Sequence, residues 1–226
     1  VPEERLLEAE NYRALILSGH LTTLETERRH RDGTLIPVSI QAFPVVMDNE
    51  ISGVYFIYQD ISERKQNEAI IAHQAFHDAL TGLPNRYLFN ERLNRALERA
   101  RRKPYPFALV LMDLDRFKKI NDTLGHLTGD KLLVEVGNVL TRSIRATDTA
   151  ARLGGDEFAL LLEEFTSSED ILMILNRIQS LLHYDLEIDG QHLQTGGSIG
   201  IVVFEDAYRT AEDLLRDADI AMYRAK

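Results

Sequence analysis

Four acids stand at two places in this chain where their types and spacing allow chemistry. Asp113 and Asp115 end the apolar run "FALVLMDLD" (107–115). Asp156 and Glu157 follow Gly154 and Gly155 inside "AARLGGDEFALLLEE" (150–164). Neighbouring carboxylates repel each other and resist desolvation unless a positive charge joins them. Oxygen-only ligands suit magnesium or manganese. Two ions held by shared carboxylates can activate an attacking hydroxyl and stabilise a leaving phosphate. Glycines beside the acids let a backbone approach phosphate oxygens with no side chain between. The competing reading is a solvated hairpin tip.

The elements that would carry these acids follow from apolar patterning. Phe158–Leu162 reads as a buried strand and Ala150–Leu153 as a shorter one, with a turn at Gly154-Gly155. Residues 107–115 read as a central strand delivering Asp113 and Asp115 to its C-terminal edge. "LTGLPNR" (80–86) is a loop, and Asn85 caps a helix running to about Lys103. Two helical stretches follow, split by Gly125 and Gly129; the second, from Asp130, buries Leu133, Val136, Leu140 and Ile144. Ser167 and Asp170 form a capping box for a helix to about Tyr184, an Asp189-Gly190 hairpin follows, and a last helix fills 210–226. Strand, helix, strand, strand, helix, strand is the ferredoxin-like split unit, an α+β fold with an antiparallel sheet. Its first strand neighbours the hairpin, so Asp113 and Asp156 can meet.

Upstream, Leu6, Leu7, Ala9, Tyr12, Leu15 and Ile16 keep helical spacing. "TLETERRHR", "LIPVSIQAFPVVM" and "ISGVYFIYQDIS" then read as an antiparallel meander with a turn at Asp32-Gly33. Residues 61–80 lack Pro and Gly and carry Ile61, Ile70, Ile71, Phe76 and Leu80, which predicts a helical connector of the kind that pairs as a short coiled coil between twofold-related partners. The division is then 1–62, a linker at 63–80, and 81–226. His73 and His77 are four apart, but no Glu follows His73 as a zinc-protease motif requires. Net charge is −10, from 36 acids against 26 bases, which does not suit a nucleic-acid polymer. The basic run "RALERARRK" (95–103) ends a helix, where it complements the dipole. Cysteine is absent, which removes disulfides and thiolate zinc sites and fits a reducing cytoplasm. No run of about 18 apolar residues occurs.

Taken together, "RLGGDEF", "LMDLDRFKKINDTLGHLTGD", "RATD", "SIGI" and "DADIAMYRAK" closely resemble the GGDEF domain of diguanylate cyclases, over roughly residues 75–226. The resemblance implies condensation of two GTP into cyclic di-GMP and two pyrophosphates, between two facing domains of a homodimer. It implies magnesium or manganese held by Asp113, Asp156 and the Leu114 carbonyl, with Asp156 also the base for the 3′-hydroxyl. Strand alternation sends Glu157 to the face opposite Asp156, which ranks it second, as further ligand or support. Asn121 and Asp130 resemble the guanine readers, and Gly154 and Gly155 the backbone beside the phosphates. Lys118 and Lys226 resemble the phosphate and charge-stabilising lysines. Arg145 and Asp148 of "RATD" resemble a product-inhibition site. Alone, Asp130 would be a helix N-cap, Asn121 a turn residue and Lys118 a solvated base.

The first 60 or so residues resemble the C-terminal half of a PAS sensor domain, with "YQDISERK" as its exit into a signalling helix and an unidentified small molecule or cofactor as its signal. The first half of such a domain is not in this sequence. Lys226 falls inside the last GGDEF motif, and in relatives an EAL phosphodiesterase domain often follows. A catalytically silent module that binds GTP or cyclic di-GMP to regulate a partner is the second reading. A cyclase making a mononucleotide ring is the third, disfavoured by the guanine pair and by the RxxD sequence.

Overall fold

Contacts divide the chain into residues 1–73 and 74–226, and the computed structural model describes residues 1–17, 22–48, 50–184, 187–188 and 190–226. In the first unit a 3-10 turn (Glu3–Arg5) leads into α1 (Leu6–Leu17). β1 (Thr22–Arg29), β2 (Leu35–Met47) and β3 (Glu50–Asp60) then form an antiparallel meander in that order. Asp32 accepts from the Thr34 amide and hydroxyl, and Gly33 takes φ 93°, which closes the turn as its composition predicts. α1 contributes Tyr12 and Ile16 to a core with Val38, Ile40 and Ala42, and the Tyr12 hydroxyl donates to the Ile40 carbonyl at 2.8 Å.

α2 (Ser62–Phe76) follows, ending four residues earlier than its composition suggests. The reason is local. Asp78 accepts from the Thr81 amide and hydroxyl, which starts a turn. Asn85 then donates its side-chain amide to the Ala75 carbonyl and its backbone N–H to that of Phe76. The last carbonyls of α2 are satisfied by the loop, so the helix has no need to continue.

The second unit begins with α3 (Arg86–Arg102), whose Leu88 N–H donates to the Asn85 side chain as the cap requires. β4 (Phe107–Leu114), α4 (Phe117–Leu124), α5 (His126–Ser143), β5 (Thr149–Gly154) and β6 (Glu157–Glu163) come next. α6 (Ser168–Tyr184), the short pair β7 (Glu187–Ile188) and β8 (Gln191–His192), β9 (Gly197–Val203) and α7 (Ala211–Ala225) complete it. Gly190 takes φ 75° between β7 and β8, while Asp189 of the expected Asp-Gly turn lies outside the described residues. The main sheet has the order β5-β6-β4-β9 with every neighbouring pair antiparallel, the α+β split arrangement.

β4 is buried throughout because both faces of the sheet are covered. Ala108, Val110 and Met112 join a core with Leu132, Val136, Leu140 and Ile178. Phe107, Leu109 and Leu111 join another with Phe89, Leu93, Leu214 and Ala218. One expectation needs correction. Asp130 does not open a helix, because α5 starts at His126 and runs through Gly129. Only Gly125, at φ 86°, breaks the chain there. Gly129 is helical and serves a close contact described below.

α7 rests on β9 with almost no space between backbones. A Cβ on Gly200 would lie 2.0 Å from the Ala218 carbonyl oxygen and 2.4 Å from the Met222 nitrogen. Gly200→Ala therefore lifts α7 from the sheet, and overpacking of this kind costs about 1–3 kcal/mol. The melting temperature of the variant is expected to fall by roughly 2–12 °C, at about 2–4 °C per kcal/mol for a chain of this size. An unchanged melting temperature would mean that α7 is not held at this distance.

Candidate active site

Backbone pairing brings the acids together. Asp113, the next-to-last residue of β4, lies directly opposite Glu157 on one side and Ser198 on the other. The Leu114 N–H donates to the Asp156 carbonyl at 3.2 Å. Opposed residues in an antiparallel pair share a face, so Asp113 and Glu157 lie on the α3/α7 side of the sheet. Asp156 sits in the turn, between Gly155 at φ 55° and the start of β6. Asp113, Leu114 and Asp156 nevertheless line one cleft of about 1010 Å³, together with Arg116, Lys118, Lys119 and Lys226.

Three cations distribute the charge. Lys226, at the C-terminal cap of α7, places Nζ 2.9 Å from Asp113 Oδ2. That bond, with the nearby charges of Asp156 and Glu157, raises the ammonium above its ordinary value against the opposing effect of burial. Arg86 donates to Glu157 Oε2 and to the Leu153 carbonyl, each at 3.2 Å. Arg152 donates to the Gly155 carbonyl at 2.8 and 3.0 Å and pairs with Asp78 at 2.9 Å. The Gly-Gly turn is thus held by Arg86 at the start of α3 and by Arg152, which is anchored to Asp78 in the loop after α2. Among the described residues no group of three or more Asp, Glu, His or Cys is positioned to hold a metal unaided. The oxygen donors present, Asp113, Asp156 and the Leu114 carbonyl, fit a hard cation that draws its other ligands from water or substrate.

Asp115, the other acid of "MDLD", is occupied elsewhere. It accepts from the Ser198 hydroxyl at 2.7 Å, and its N–H donates to the Gly196 carbonyl. It ties the end of β4 to the start of β9.

α4 starts from Arg116, which holds φ 60° and caps nothing with its side chain. The first amides of α4 therefore face the cleft without a protein side-chain cap. Lys118 and Lys119 occupy that first turn, where cations oppose the helix dipole. An anion in the cleft would reconcile the two. Arg116 also lines the cleft.

Asn121 and Asp130 do not line this cleft. Asn121 faces α5 instead, where a Cβ on Gly129 would fall 1.8 Å from its Oδ1. That Oδ1 is buried without a hydrogen-bond partner. Asp130 follows Gly129 and is exposed. A buried acceptor left unpaired is costly, which marks the spot as one that a donor-bearing ligand would complete.

The "RATD" residues lie apart. Asp148 is buried and accepts from the Arg145 amide at 2.9 Å and the Glu163 amide at 3.0 Å, bracing the approach to β5 against the end of β6. Arg145 is exposed. Asp78, Arg86 and Arg152, which now frame the turn, are missed by sequence reading. The signal was the acid–Thr spacing of "DALT" and the Arg preceding "LGGDEF".

Comparison with known proteins identifies the family of the second unit. The family profile "Diguanylate cyclase, GGDEF domain" matches residues 75–226. The diguanylate cyclase TpbB of Pseudomonas aeruginosa is 45% identical over 165 residues, which cover 72% of this chain and 38% of that protein. The bifunctional diguanylate cyclase/cyclic di-GMP phosphodiesterase MucR of the same organism is 37% identical over 193 residues, 85% of this chain and 28% of MucR. The chain thus spans well under half of these relatives. Among solved structures, a TpbB form comprising only the GGDEF domain superposes with a TM-score of 0.63 at 44% identity, over 66% of this chain and 88% of that one. The GGDEF domain of DgcB from Caulobacter crescentus, in complex with c-di-GMP, gives 0.62 at 29% identity, over 67% and 90%.

The clamp carries a pH signature. Burial alone would raise the Asp78 carboxyl, but Thr81 and the Arg152 guanidinium outweigh it and hold the value below the ordinary one. A carboxyl depressed in the fold adds stability above its unfolded value and loses it as pH falls through the folded one. Asp78→Asn should therefore melt a few degrees lower than the parent at pH 7. The gap should close as pH drops below the usual carboxylate range. Melting curves across pH check this, and a gap independent of pH would contradict it.

Proposed function

Because the chain belongs to the GGDEF family of diguanylate cyclase domains, we propose that it condenses two GTP into cyclic di-GMP and two pyrophosphates. The observation that carries the reading is the meeting of Asp113 and Asp156 on one cleft with Lys118, Lys226 and the uncapped start of α4. Acids and bases interleaved in this way suit a triphosphate accompanied by a cation. Magnesium or manganese on Asp113, Asp156 and the Leu114 carbonyl would supply positive charge to the triphosphate.

The chain's own groups account for the rest. Asp156 takes the proton of a 3′-hydroxyl, whose oxygen forms a bond to the α-phosphorus of the facing GTP. The bond from that phosphorus to the β-phosphate oxygen breaks, and pyrophosphate leaves with the electron pair. Lys118 and the first amides of α4 hold the phosphates, and Lys226 compensates the developing charge. Glu157, turned toward Arg86, supports the hairpin. Gly154 and Gly155 keep side chains away from the phosphates. Asn121 and Asp130 read guanine, whose N1–H and amine form a donor pair that adenine lacks. Each cleft holds one nucleotide, so two domains must face each other as a homodimer.

Two regulatory inputs belong to the same reading. The helix and meander of residues 1–60 act as a PAS-type sensor for an unidentified small-molecule signal, and Arg145 with Asp148 binds the product away from the cleft. Arg145 supplies the charge, while Asp148 keeps lone pairs beyond its two amide bonds.

Incubation of the purified protein with GTP and magnesium should yield cyclic di-GMP. Asp113→Asn and Asp156→Asn should each lower turnover at least about a hundredfold, the scale of losing one charged transition-state contact. Nucleotide binding without any product from the parent would favour the silent module. Arg145→Ala should weaken cyclic di-GMP binding by roughly tenfold or more, since charge-assisted bonds are worth about 1.5–3 kcal/mol. Its product-free kcat should stay near the parent's. Calorimetry and initial rates measure both, and unchanged product affinity would remove the inhibitory role.

A further inference from the structure

Three of the acids near the Gly-Gly turn have distinct partners. Glu157 has Arg86, Asp115 has Ser198, and Asp113 has Lys226. Among the described residues, the ion pair to Asp113 comes from Lys226 alone. The Asp113 side chain is only 12% exposed and that of Lys226 46%, so the acid is fixed while the base can leave. A lysine suits such a role, being a compact charge on a flexible stem with little geometric demand.

We propose that Lys226 is a placeholder cation: in the nucleotide-free protein it neutralises Asp113, and it yields that carboxylate to a divalent metal only when a triphosphate arrives to receive its ammonium. The inference rests on the reading of Asp113 and Asp156 as metal ligands. Without nucleotide, an incoming cation meets two carboxylates and a carbonyl, one carboxylate of which is already paired. Displacing the ammonium leaves it in water with no new partner, while the metal gains few ligands for the water it sheds. Magnesium gives up water reluctantly, which sharpens the imbalance. With nucleotide, both deficits disappear, because phosphate oxygens accept the lysine and add ligands to the metal. Metal and nucleotide then bind with positive coupling, and linkage makes the effect mutual. The cleft would hold little free metal and would load metal and GTP together.

The test is manganese titration of the whole 226-residue chain, with free Mn²⁺ read by electron paramagnetic resonance. It is run without nucleotide and with a non-hydrolysable GTP analogue, on the parent, Lys226→Met, Lys226→Gln and Asp113→Asn. Both Lys226 variants should bind Mn²⁺ without nucleotide at least about fivefold tighter than the parent, the lower end of ordinary coupling. The analogue should then enhance Mn²⁺ binding less in the variants than in the parent. If the Lys226 variants bind Mn²⁺ no tighter while Asp113→Asn loses it, the placeholder role falls and the ligand assignment stands. If Asp113→Asn binds Mn²⁺ as the parent does, the ligand assignment fails and the placeholder role with it.

Discussion

Asp113, Asp156 and Glu157 are brought together by main-chain pairing, not by any attraction between them. The β4–β6 register sets Asp113 opposite Glu157, and the Leu114 amide holds the Asp156 carbonyl. Shifting that register by one residue would turn every apolar side chain of β4 to the wrong face. The two cores on either side of the sheet therefore fix the positions of the acids. The repulsion is accepted because burial of the strands opposes it.

Positive charge reaches the turn from three different elements, Arg86 and Lys226 pairing with its acids and Arg152 with its backbone. Arg86 opens α3, Arg152 lies in β5, and Lys226 follows the last turn of α7. The two arginines make several directed bonds each and position the turn. The lysine makes a single pair at the edge of the cleft. This division suits the chemistry of the two side chains, since Arg provides a rigid fork and Lys a mobile point charge.

Much of this was legible beforehand, and the limits have physical causes. The hairpin could be read because Gly154-Gly155 sits between two apolar runs, and the start of α3 because Asn85 is a strong cap. The meeting of Asp113 with Asp156 followed from strand order alone. Gly129 misled, because a glycine that lets two helices touch looks the same in sequence as one that ends a helix. Arg152 and Asp78 were invisible as a pair because they lie 74 residues apart. A lone charge in a loop is usually a solvated one. Where α2 ends was hidden for a related reason: the groups that satisfy its last carbonyls belong to Asn85, on the far side of a turn.

The backbone contact between Gly200 and α7 has a consequence in time. Synthesis proceeds from the N-terminus, and domains fold as units once their pairing partners exist. β4 is synthesised long before β9, and β9 before α7, so Asp113 leaves the ribosome well ahead of the lysine that pairs with it. Until Ala218 and Met222 settle on Gly200, Asp113 is without its partner Lys226. Non-local contacts of this kind form slowly because the intervening chain must be gathered first. Docking of α7 on β9 is therefore also the event that brings Lys226 to Asp113.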